Sequence, residues 1–335
     1  MQLLVGCAGF MASLPYAIWN IPSPGWFFLC LIYLWFLGCT FLPLTYLSRV
    51  RRSSINLTGL VVLGIYLWHP WPWPMEIYML DVGQGDAFFI RLTNGKTMLI
   101  DGGGAANYQY DVARSVLLPF LRRQGLQHLD YAIISHPHED HYQGIIQLTQ
   151  RFPVRKVYGS LVQLDKDLPE DLQNWLIENH TQYEDISAGN RLFLDPEIKI
   201  RVVSDGQKGQ ATNINDASLV LQVQYGLCSI WFTGDAETPI EETLLDLAKQ
   251  DNNLTILKVA HHGSGNATSE EWLEALRPRL AIISVGAHNN YGHPHQQVLQ
   301  RLQNIECQIL RSDLDGGVKL SSDGFKWNVQ TALKR

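Results

Sequence analysis

The sequence contains few cysteines and, over its first 75 residues, no acidic side chain. Its 5 cysteines form no C-x-x-C motif and no disulfide framework, which excludes a disulfide-stapled fold. The only charged side chains in the first 75 residues are Arg49, Arg51 and Arg52. This composition is not that of a soluble domain, so the N-terminal part and the remaining 260 residues are interpreted separately.

Three runs without Asp, Glu, Lys or Arg occupy the N-terminal part, at residues 3–19, 26–47 and 57–73. Their lengths are sufficient to cross or enter a bilayer, although the first run contains Pro15 and could instead be a kinked or interfacial segment. The Trp-rich and Pro-rich stretch 66–74 is typical of an aromatic belt at a membrane surface, with an aromatic plug in a soluble core as the alternative. We therefore predict that residues 1–75 form membrane segments in contact with lipid.

The three arginines lie between the second and third runs, and short basic loops remain on the cytoplasmic side of a membrane. The third run then leads outward, which predicts an inner (plasma) membrane protein with residues 76–335 on the extracytoplasmic face. The chain begins without a basic n-region, so we do not expect a cleavable signal peptide.

Residues 76–335 have the composition of a soluble domain and are long enough to bury a sizeable core. They hold 23 basic and 32 acidic side chains, a net charge of −9. A net acidic domain is a poor electrostatic match for duplex DNA, although two bound divalent ions would offset this locally. The alternation of short strands, turns and amphipathic helices predicts an α/β fold.

Four potential metal ligands follow the apolar run 131–134 within six residues. They are His136, His138, Asp140 and His141. A loop that leaves a buried strand can gather these side chains, whereas a helix would spread them, and we expect the next helix to begin at Tyr142. Imidazole and carboxylate groups suit Zn, Fe(II) or Mn. Four ligands exceed what one tetrahedral ion with an open position requires, so the spacing predicts two ions; a His-rich surface loop is the alternative.

Five polar loops follow the ends of predicted buried strands. They lie at residues 83–86, 101–104, 135–141, 234–237 and 261–265. In a layered fold with two sheets, such strand ends converge on one edge and can build a binuclear site. Asp235, presented by a Gly turn, is well placed to bridge two ions, with a helix N-cap as its alternative role. The pair His261-His262 indicates one ligand and one neighbour that faces the substrate.

These motifs resemble the metallo-β-lactamase fold, an αββα sandwich. The residues that carry the resemblance are Asp101, the His136-x-His138-x-Asp140-His141 signature, Asp235 and the His261-His262 pair. The segments 80–87, 233–237, 257–264 and 290–295 are further similar to the ComEC family of competence proteins, which forms an inner-membrane channel for DNA uptake. The similarity covers residues 76–335 closely and the apolar segments more loosely.

The resemblance implies two divalent ions, with Zn and Mn as the leading candidates. His136, His138 and Asp235 would hold one ion. Asp140, His141, Asp235 and His262 would hold the other, with His262 preferred to His261 because Gly263 follows it. We expect Asp140 to orient the nucleophile and Asp101 and Asp86 to support the ligands. We expect His293 to protonate the leaving oxygen or bind phosphate (with a loop anchor as its alternative), and Ser264 and Asn290 to contact substrate.

The implied activity is a nuclease acting on single-stranded DNA, together with the other components of a DNA-uptake machine. Two alternatives remain open: a hydrolase of small esters or phosphodiesters, and a non-catalytic module that guides DNA. The sequence departs from the family at 213–218, where Asn215 or Asp216 stands in place of a further His. The apolar part is also short for the family, so we expect a C-terminal piece or a truncated form. No stacking platform for bases is evident.

Overall fold

The computed structural model describes residues 26–41, 57, 59, 64, 73–104, 110–161, 168–179, 182–206 and 213–334. The predicted apolar run 3–19 lies outside these residues, as does most of 57–73. Helix α1 (Trp26–Phe41) covers part of the second run with 16 residues. Within the described ranges, no helix combines the length and the apolar character that crossing a membrane requires.

The chain divides into two compact units, of which the one formed by Pro72–Leu121 and Gln127–Arg335 contains both sheets. The predicted domain boundary at residue 76 stays a prediction. The described strands are β1 (Met75–Met79), β2 (Phe88–Arg91), β3 (Thr97–Ile100), β4 (Leu129–Ile133), β5 (Val154–Gly159), β6 (Tyr183–Asp185), β7 (Arg191–Leu192), β8 (Ile198–Asp205), β9 (Leu219–Tyr225), β10 (Cys228–Phe232), β11 (Leu254–Lys258), β12 (Leu280–Ile283), β13 (Gln308–Arg311), β14 (Val318–Ser322) and β15 (Trp327–Thr331).

The α-helices that follow α1 in the described ranges are α2 (Leu118–Arg123), α3 (Glu139–Thr149), α4 (Glu170–Glu178), α5 (Thr238–Lys249), α6 (Glu270–Leu276), α7 (Gln296–Asn304) and α8 (Ser312–Asp315). A π-helical turn (Ala113–Leu117) precedes α2, and 3-10 turns occur at Asn215–Ala217 and Ala260–Gly263.

The strands form an 8-stranded sheet of order β15-β14-β1-β2-β3-β4-β5-β6 and a 7-stranded sheet of order β13-β12-β11-β10-β9-β8-β7. Alternating side chains of both sheets are buried in one shared hydrophobic cluster, as the inward positions of two packed sheets should be. Phe88 of β2 and Phe232 of β10 meet there edge to face, with their ring centroids 5.2 Å apart. The two sheets therefore pack face to face around a common core.

A second apolar cluster joins the outer face of the 7-stranded sheet to helices α5, α6 and α7, with Trp231 and Trp272 at a ring distance of 5.5 Å. Phe120 of α2 packs against Tyr78 and Phe89 of the 8-stranded sheet. Helices thus cover both outer faces, which confirms the predicted αββα sandwich.

Strands β3, β4 and β5 run parallel to one another, as do β10 to β13. The loops after their carboxyl ends carry the polar motifs, as predicted. One boundary was wrong: α3 begins at Glu139 and not at Tyr142, so Asp140 and His141 lie in its first turn. The acidic pair Glu139 and Asp140 favours this earlier start, because carboxylates stabilise the positive end of a helix.

Candidate metal centre

Asp101 organises the loop that follows β4. Its Oδ1 accepts a hydrogen bond from the backbone N–H of Ser135 at 2.7 Å, and its Oδ2 accepts one from the Ser135 hydroxyl at 2.7 Å. The same Oδ2 lies 2.9 Å from Nδ1 of His141. One buried carboxylate thereby contacts both the beginning of the loop and an imidazole in α3. The supporting role of Asp101 stays a prediction.

Three imidazole rings are anchored through Nδ1. His141 contacts the carboxylate just described, and Nδ1 of His262 lies 2.9 Å from the carbonyl oxygen of Ser284. Nδ1 of His136 lies 3.0 Å from the hydroxyl of Ser135. The Asp101 carboxylate and the Ser284 carbonyl only accept, and the Ser135 hydroxyl donates to Asp101, so each partner suits a proton on Nδ1. A neutral ring with that proton on Nδ1 keeps its lone pair on Nε2. All three rings therefore present Nε2 as the ligand atom.

Asp235 lies at the centre of these rings. Its Oδ1 is 3.3 Å from Nε2 of His141. Its Oδ2 is 3.8 Å from Nε2 of His136 and 3.7 Å from Nε2 of His262. The backbone N–H of Asp235 donates to the Ser218 hydroxyl, and Glu237 is the N-cap residue of α5. The predicted alternative, in which Asp235 caps the helix, is therefore not what the structure has.

Asp140 approaches the same group from the first turn of α3. Its Oδ2 lies 3.2 Å from Nε2 of His262, and its Oδ1 lies 3.9 Å from Nε2 of His141. The ring centroids of His141 and His262 are 5.3 Å apart. Residues from the two sheets thus meet at a single point, as the convergence of strand ends predicts.

The ligand atoms of this cluster fit a divalent ion. Nε2 of His136, His141 and His262 and Oδ1 of Asp235 are buried, and none makes a hydrogen bond within the part of the chain that the structure describes. Leaving such polar atoms buried and unpaired is costly unless a ligand completes them. Imidazole nitrogens and carboxylate oxygens are the donors that Zn and related ions take.

Two sets of residues each bring their ligand atoms within 4.8 Å of one another. His136, His141 and Asp235 form one set, and Asp140, His141 and His262 form the other. Both sets use Nε2 of His141, which can bind only one ion at a time. A second ion therefore needs a further ligand. His138 belongs to neither set, but its ring centroid lies 4.8 Å from that of His136.

Asp86 contributes to two more such groups, one with Asp101 and His141 and one with Asp235 and His262. Its Oδ1 makes no hydrogen bond with any described residue and lies 3.6 Å from Nδ1 of His262. The sequence predicts a supporting role for Asp86, and its buried position beside the ligand rings is compatible with that role.

His261 and His262 occupy a 3-10 turn in which both have left-handed backbone angles, φ 48° and φ 54°. The centroids of the two rings are 6.3 Å apart. Nε2 of His261 lies 3.8 Å from Oδ2 of Asp235, and its Nδ1 lies 3.1 Å from Oε1 of Glu237. His261 is therefore also within reach of the cluster, and Glu237 is a contact that the sequence reasoning missed.

Lys258 is the main site residue that the sequence did not reveal. Its ammonium group pairs with the Asp86 carboxylate and donates to the Gly234 carbonyl oxygen at 2.7 Å. It also lies 3.7 Å from Oδ1 of Asp235. Lys258 is 1% exposed, and it occupies a strand position that reads as apolar core. Only its unusual residue type within that strand signals the role.

The charges of the cluster shift its protonation equilibria. Burial would lower the pKa of His141, but the carboxylates of Asp235, Asp140 and Asp101 raise it well above the usual value. Burial and the nearby His141 lower the pKa of His136. Burial opposes ionisation of Asp235, but His141 and His262 hold the pKa of this carboxyl well below its usual range.

A cavity of about 740 Å³ opens onto the cluster. Its lining includes His138, Asp140, Asp235, His261, His262 and His293. Nδ1 of His293 is buried and without a hydrogen-bond partner in the described ranges, and burial together with His261 lowers the pKa of His293 to about 4. His293 thus lies in the cavity lining, and its contact with substrate stays a prediction.

Two predicted substrate contacts are not part of this lining. Ser264 is 5% exposed, and its hydroxyl accepts a hydrogen bond from the backbone N–H of Asn266. Asn290 is exposed to solvent. Its neighbour Asn289, which the sequence reasoning missed, binds the backbone N–H and carbonyl of His293 at 3.0 Å and 2.7 Å. Asn289 shapes this loop, and the Asn-Asn pair in a turn was the available signal.

The segment that lacks the further His does not supply an obvious replacement. Oδ1 of Asp216 accepts a hydrogen bond from the backbone N–H of Glu237 at 3.2 Å. Asp216 belongs to none of the described groups of potential ligands. Oδ1 of Asn215 is buried and makes no hydrogen bond with the described residues.

Residues 80–288, more than half of the chain, match the metallo-beta-lactamase superfamily. The chain belongs to the metallo-beta-lactamase superfamily. The structure of this chain is similar to that of a mutant of the CmlA beta-hydroxylase, with a TM-score of 0.50. The two sequences are 14% identical, and the match covers 82% of this chain and 60% of that one. That likeness shows the fold alone.

Two curated proteins are similar to this chain in sequence. ComE operon protein 3 of Bacillus subtilis is 31% identical over 255 residues, 73% of this chain and 32% of that protein. Competence protein ComA of Neisseria gonorrhoeae is 29% identical over 241 residues, 71% of this chain and 31% of that protein. The resemblance to the ComEC family is confirmed. The chain spans about a third of the length of these relatives.

Proposed function

We propose that the chain is a metal-dependent hydrolase that cleaves phosphodiester bonds of single-stranded DNA during uptake in natural transformation. The observation that carries this proposal is the set of buried, unpaired Nε2 and Oδ1 atoms of His136, His141, His262 and Asp235 beside an open cavity. The names of the competence-related relatives support the choice of DNA as substrate. The cavity of about 740 Å³ beside these atoms falls within the size range of ligand-binding sites.

The proposed ligands are those that the geometry brings together. His136, His141 and Asp235 would hold one ion. Asp140, Asp235 and His262 would hold a second, and His138 and His261 are the further candidate ligands beside these sets. Bound Zn or Mn would act as a Lewis acid on the phosphodiester and activate water for attack.

The chain's own residues then have separate tasks. Asp101 fixes the ring of His141, and the Ser284 carbonyl fixes the ring of His262, so both Nε2 atoms are held in place before substrate binds. Asp140, which is at the cavity surface, orients the attacking water. His293 lies in the same lining and contacts the phosphate or the leaving oxygen.

A cleavage assay tests this function. The full chain, loaded with Mn or Zn, is incubated with an end-labelled single-stranded oligonucleotide, and we expect cleavage that Asp140→Ala abolishes. Asp81→Asn is the matched control, since Asp81 also lines the cavity but belongs to none of the described ligand groups. Hydrolysis of a small ester without DNA cleavage would instead indicate another hydrolase of the fold. A chain that takes up no metal would indicate a non-catalytic module.

We further propose that the hydrolase domain faces the extracytoplasmic side of the inner membrane, beside other components of a DNA-uptake machine. The support is the Arg49, Arg51 and Arg52 cluster and the competence-related relatives. An alkaline phosphatase fusion after residue 75 should be active in cells. An inactive fusion, with an active cytoplasmic reporter at the same position, would overturn this orientation.

A further inference from the structure

We propose that Tyr110 and Tyr291 form a stacking surface for unpaired bases on either side of the scissile phosphate, and that this surface selects single strands. The inference rests on the proposed function and names the recognition chemistry of the same site. Both tyrosines line the cavity that opens onto Asp140, Asp235 and His262.

The two rings are exposed where a ligand can reach them. Tyr110 is 44% exposed and Tyr291 is 63% exposed, so part of each ring is open to a ligand in the cavity. Tyr110 lies between β3 and the π-helical turn, and Tyr291 lies between β12 and α7. Each sheet of the sandwich therefore contributes one ring. Every nucleobase offers a π-face, so stacking on such rings binds single strands without reading their sequence.

The ring of Tyr291 is held in position before any ligand arrives. It stacks on His293 with a centroid distance of 5.7 Å and an interplanar angle of 25°. Oδ1 of Asn289 accepts hydrogen bonds from the backbone N–H groups of Tyr291 and His293 at 3.2 Å and 3.0 Å. A ring that is ordered in advance loses little freedom on binding, which favours a role as a fixed platform.

The charge of the cavity lining also favours binding through the bases. Among the described residues that line it there is no Lys or Arg, and four are acidic: Asp81, Glu139, Asp140 and Asp235. Proteins that bind DNA through its phosphates use Lys and Arg, and their affinity falls steeply with salt. With no Lys or Arg among the described lining residues, stacking on the bases is the contact that the cavity offers beyond the metal centre. Bases are available for stacking only in single strands, so duplex DNA is disfavoured.

Fluorescence anisotropy of the full, Mn-loaded chain with a short fluorescein-labelled oligothymidylate tests the proposal. We expect Tyr291→Ala and Tyr110→Ala each to weaken binding by about 5- to 100-fold, and Tyr291→Phe to bind like the wild type. Phe325→Ala is the matched control, because Phe325 is 73% exposed and does not line the cavity. The same strand with abasic residues should bind weakly to the wild type and should not respond to Tyr291→Ala.

Equal affinities of the wild type and both alanine variants, equal binding of the abasic strand, or a steep salt dependence would each overturn the proposal. Cleavage of DNA with binding that ignores both tyrosines would refute stacking and leave the nuclease function standing. Tyrosine-dependent binding without any cleavage would support the stacking surface and refute the nuclease function. A wild type that binds no DNA at all would refute the stacking surface directly.

Discussion

The ammonium group of Lys258 forms a buried ion pair with the carboxylate of Asp86, and the two side chains are 1% and 2% exposed. Lys258 comes from β11 in one sheet, and Asp86 precedes β2 in the other. Burial would lower the pKa of Lys258, but Asp86 and Asp235 raise it. This lysine therefore places a fixed positive charge beneath the carboxylates of the candidate metal centre.

Lys258→Met should lower the free energy of unfolding by about 3–5 kcal/mol, since it leaves Asp86 buried without its partner. Urea denaturation of the chelator-treated protein measures the loss. The double variant Lys258→Met with Asp86→Asn should be less destabilised than the single variant, because no uncompensated charge remains. Strictly additive losses in this cycle would contradict a direct pairing of the two groups.

Asp101→Asn should weaken metal binding by about 10- to 100-fold, because the amide no longer accepts from both Ser135 and His141 with full charge. Competition with a coloured chelator measures the affinity. Asp130→Asn is the matched control: Asp130 is also buried and bonds across the same β3–β4 pair, to Thr97. A similar loss of metal affinity in both variants would show that the effect is general and not specific to the ligand loop.

Much of this centre could be predicted because its ligands stand at strand ends. The loops that follow parallel strands lie at one edge of the sheet. The meeting of His136, Asp235 and His262 could therefore be predicted although these residues are far apart in the sequence. The predicted start of α3 was wrong because the ligand signature overlaps the N-terminus of the helix. Glu139 and Asp140 belong to the signature, and they also stabilise the first helical turn. A residue whose role depends on a remote partner carries little local signal, and for Lys258 that signal is only its charged residue type within an apolar strand.

The stacking surface was missed for a related reason. Tyr291 lies within a recognised motif, but a tyrosine in a turn can equally be buried, and only the fold shows its ring at the cavity. The choice between His138 and His141 for the first set of ligands likewise depends on side-chain direction. Nδ1 of His141 is taken by Asp101, and no pattern in the sequence predicts which ring nitrogen remains available.

Gly144→Ala should disturb both stability and metal binding. A Cβ at Gly144 would lie 2.0 Å from the carbonyl oxygen of Gly102, so α3 would have to move, and α3 carries Asp140 and His141. Alanine normally favours a helix, so a loss of about 1–3 kcal/mol on urea denaturation would reflect this contact alone.

Gly317→Ala serves as the control for that variant, because its Cβ would meet only the Met79 carbonyl oxygen, at 3.3 Å. We expect chelator competition to show weaker metal binding for Gly144→Ala and unchanged binding for Gly317→Ala. Unchanged metal affinity in the Gly144 variant would mean that α3 does not set the position of its two ligands.

Asp251 makes the stability of the second sheet depend on pH. Its Oδ2 accepts hydrogen bonds from Nε1 of Trp231 at 2.6 Å and from the hydroxyl of Ser229 at 2.9 Å. Burial opposes ionisation, but these hydrogen bonds, Trp231 first, lower the pKa of Asp251 below its usual value. A carboxyl whose pKa is lower in the folded state stabilises the fold above its unfolded pKa of about 3.9, and this contribution is lost as the pH falls through the folded value.

Asp251→Asn should therefore reduce the free energy of unfolding at neutral pH by about 1–3 kcal/mol, the usual contribution of hydrogen bonds to a charged group. The difference from the wild type should stay constant down to about pH 5 and then narrow as Asp251 is protonated. Urea denaturation across this range measures it. Asp246→Asn, at an aspartate on α5 whose side chain is 94% exposed, should differ little from the wild type at any pH. If the difference for Asp251→Asn does not narrow in acid, the lost stability comes from packing or hydrogen-bond geometry and not from the charge of the carboxylate.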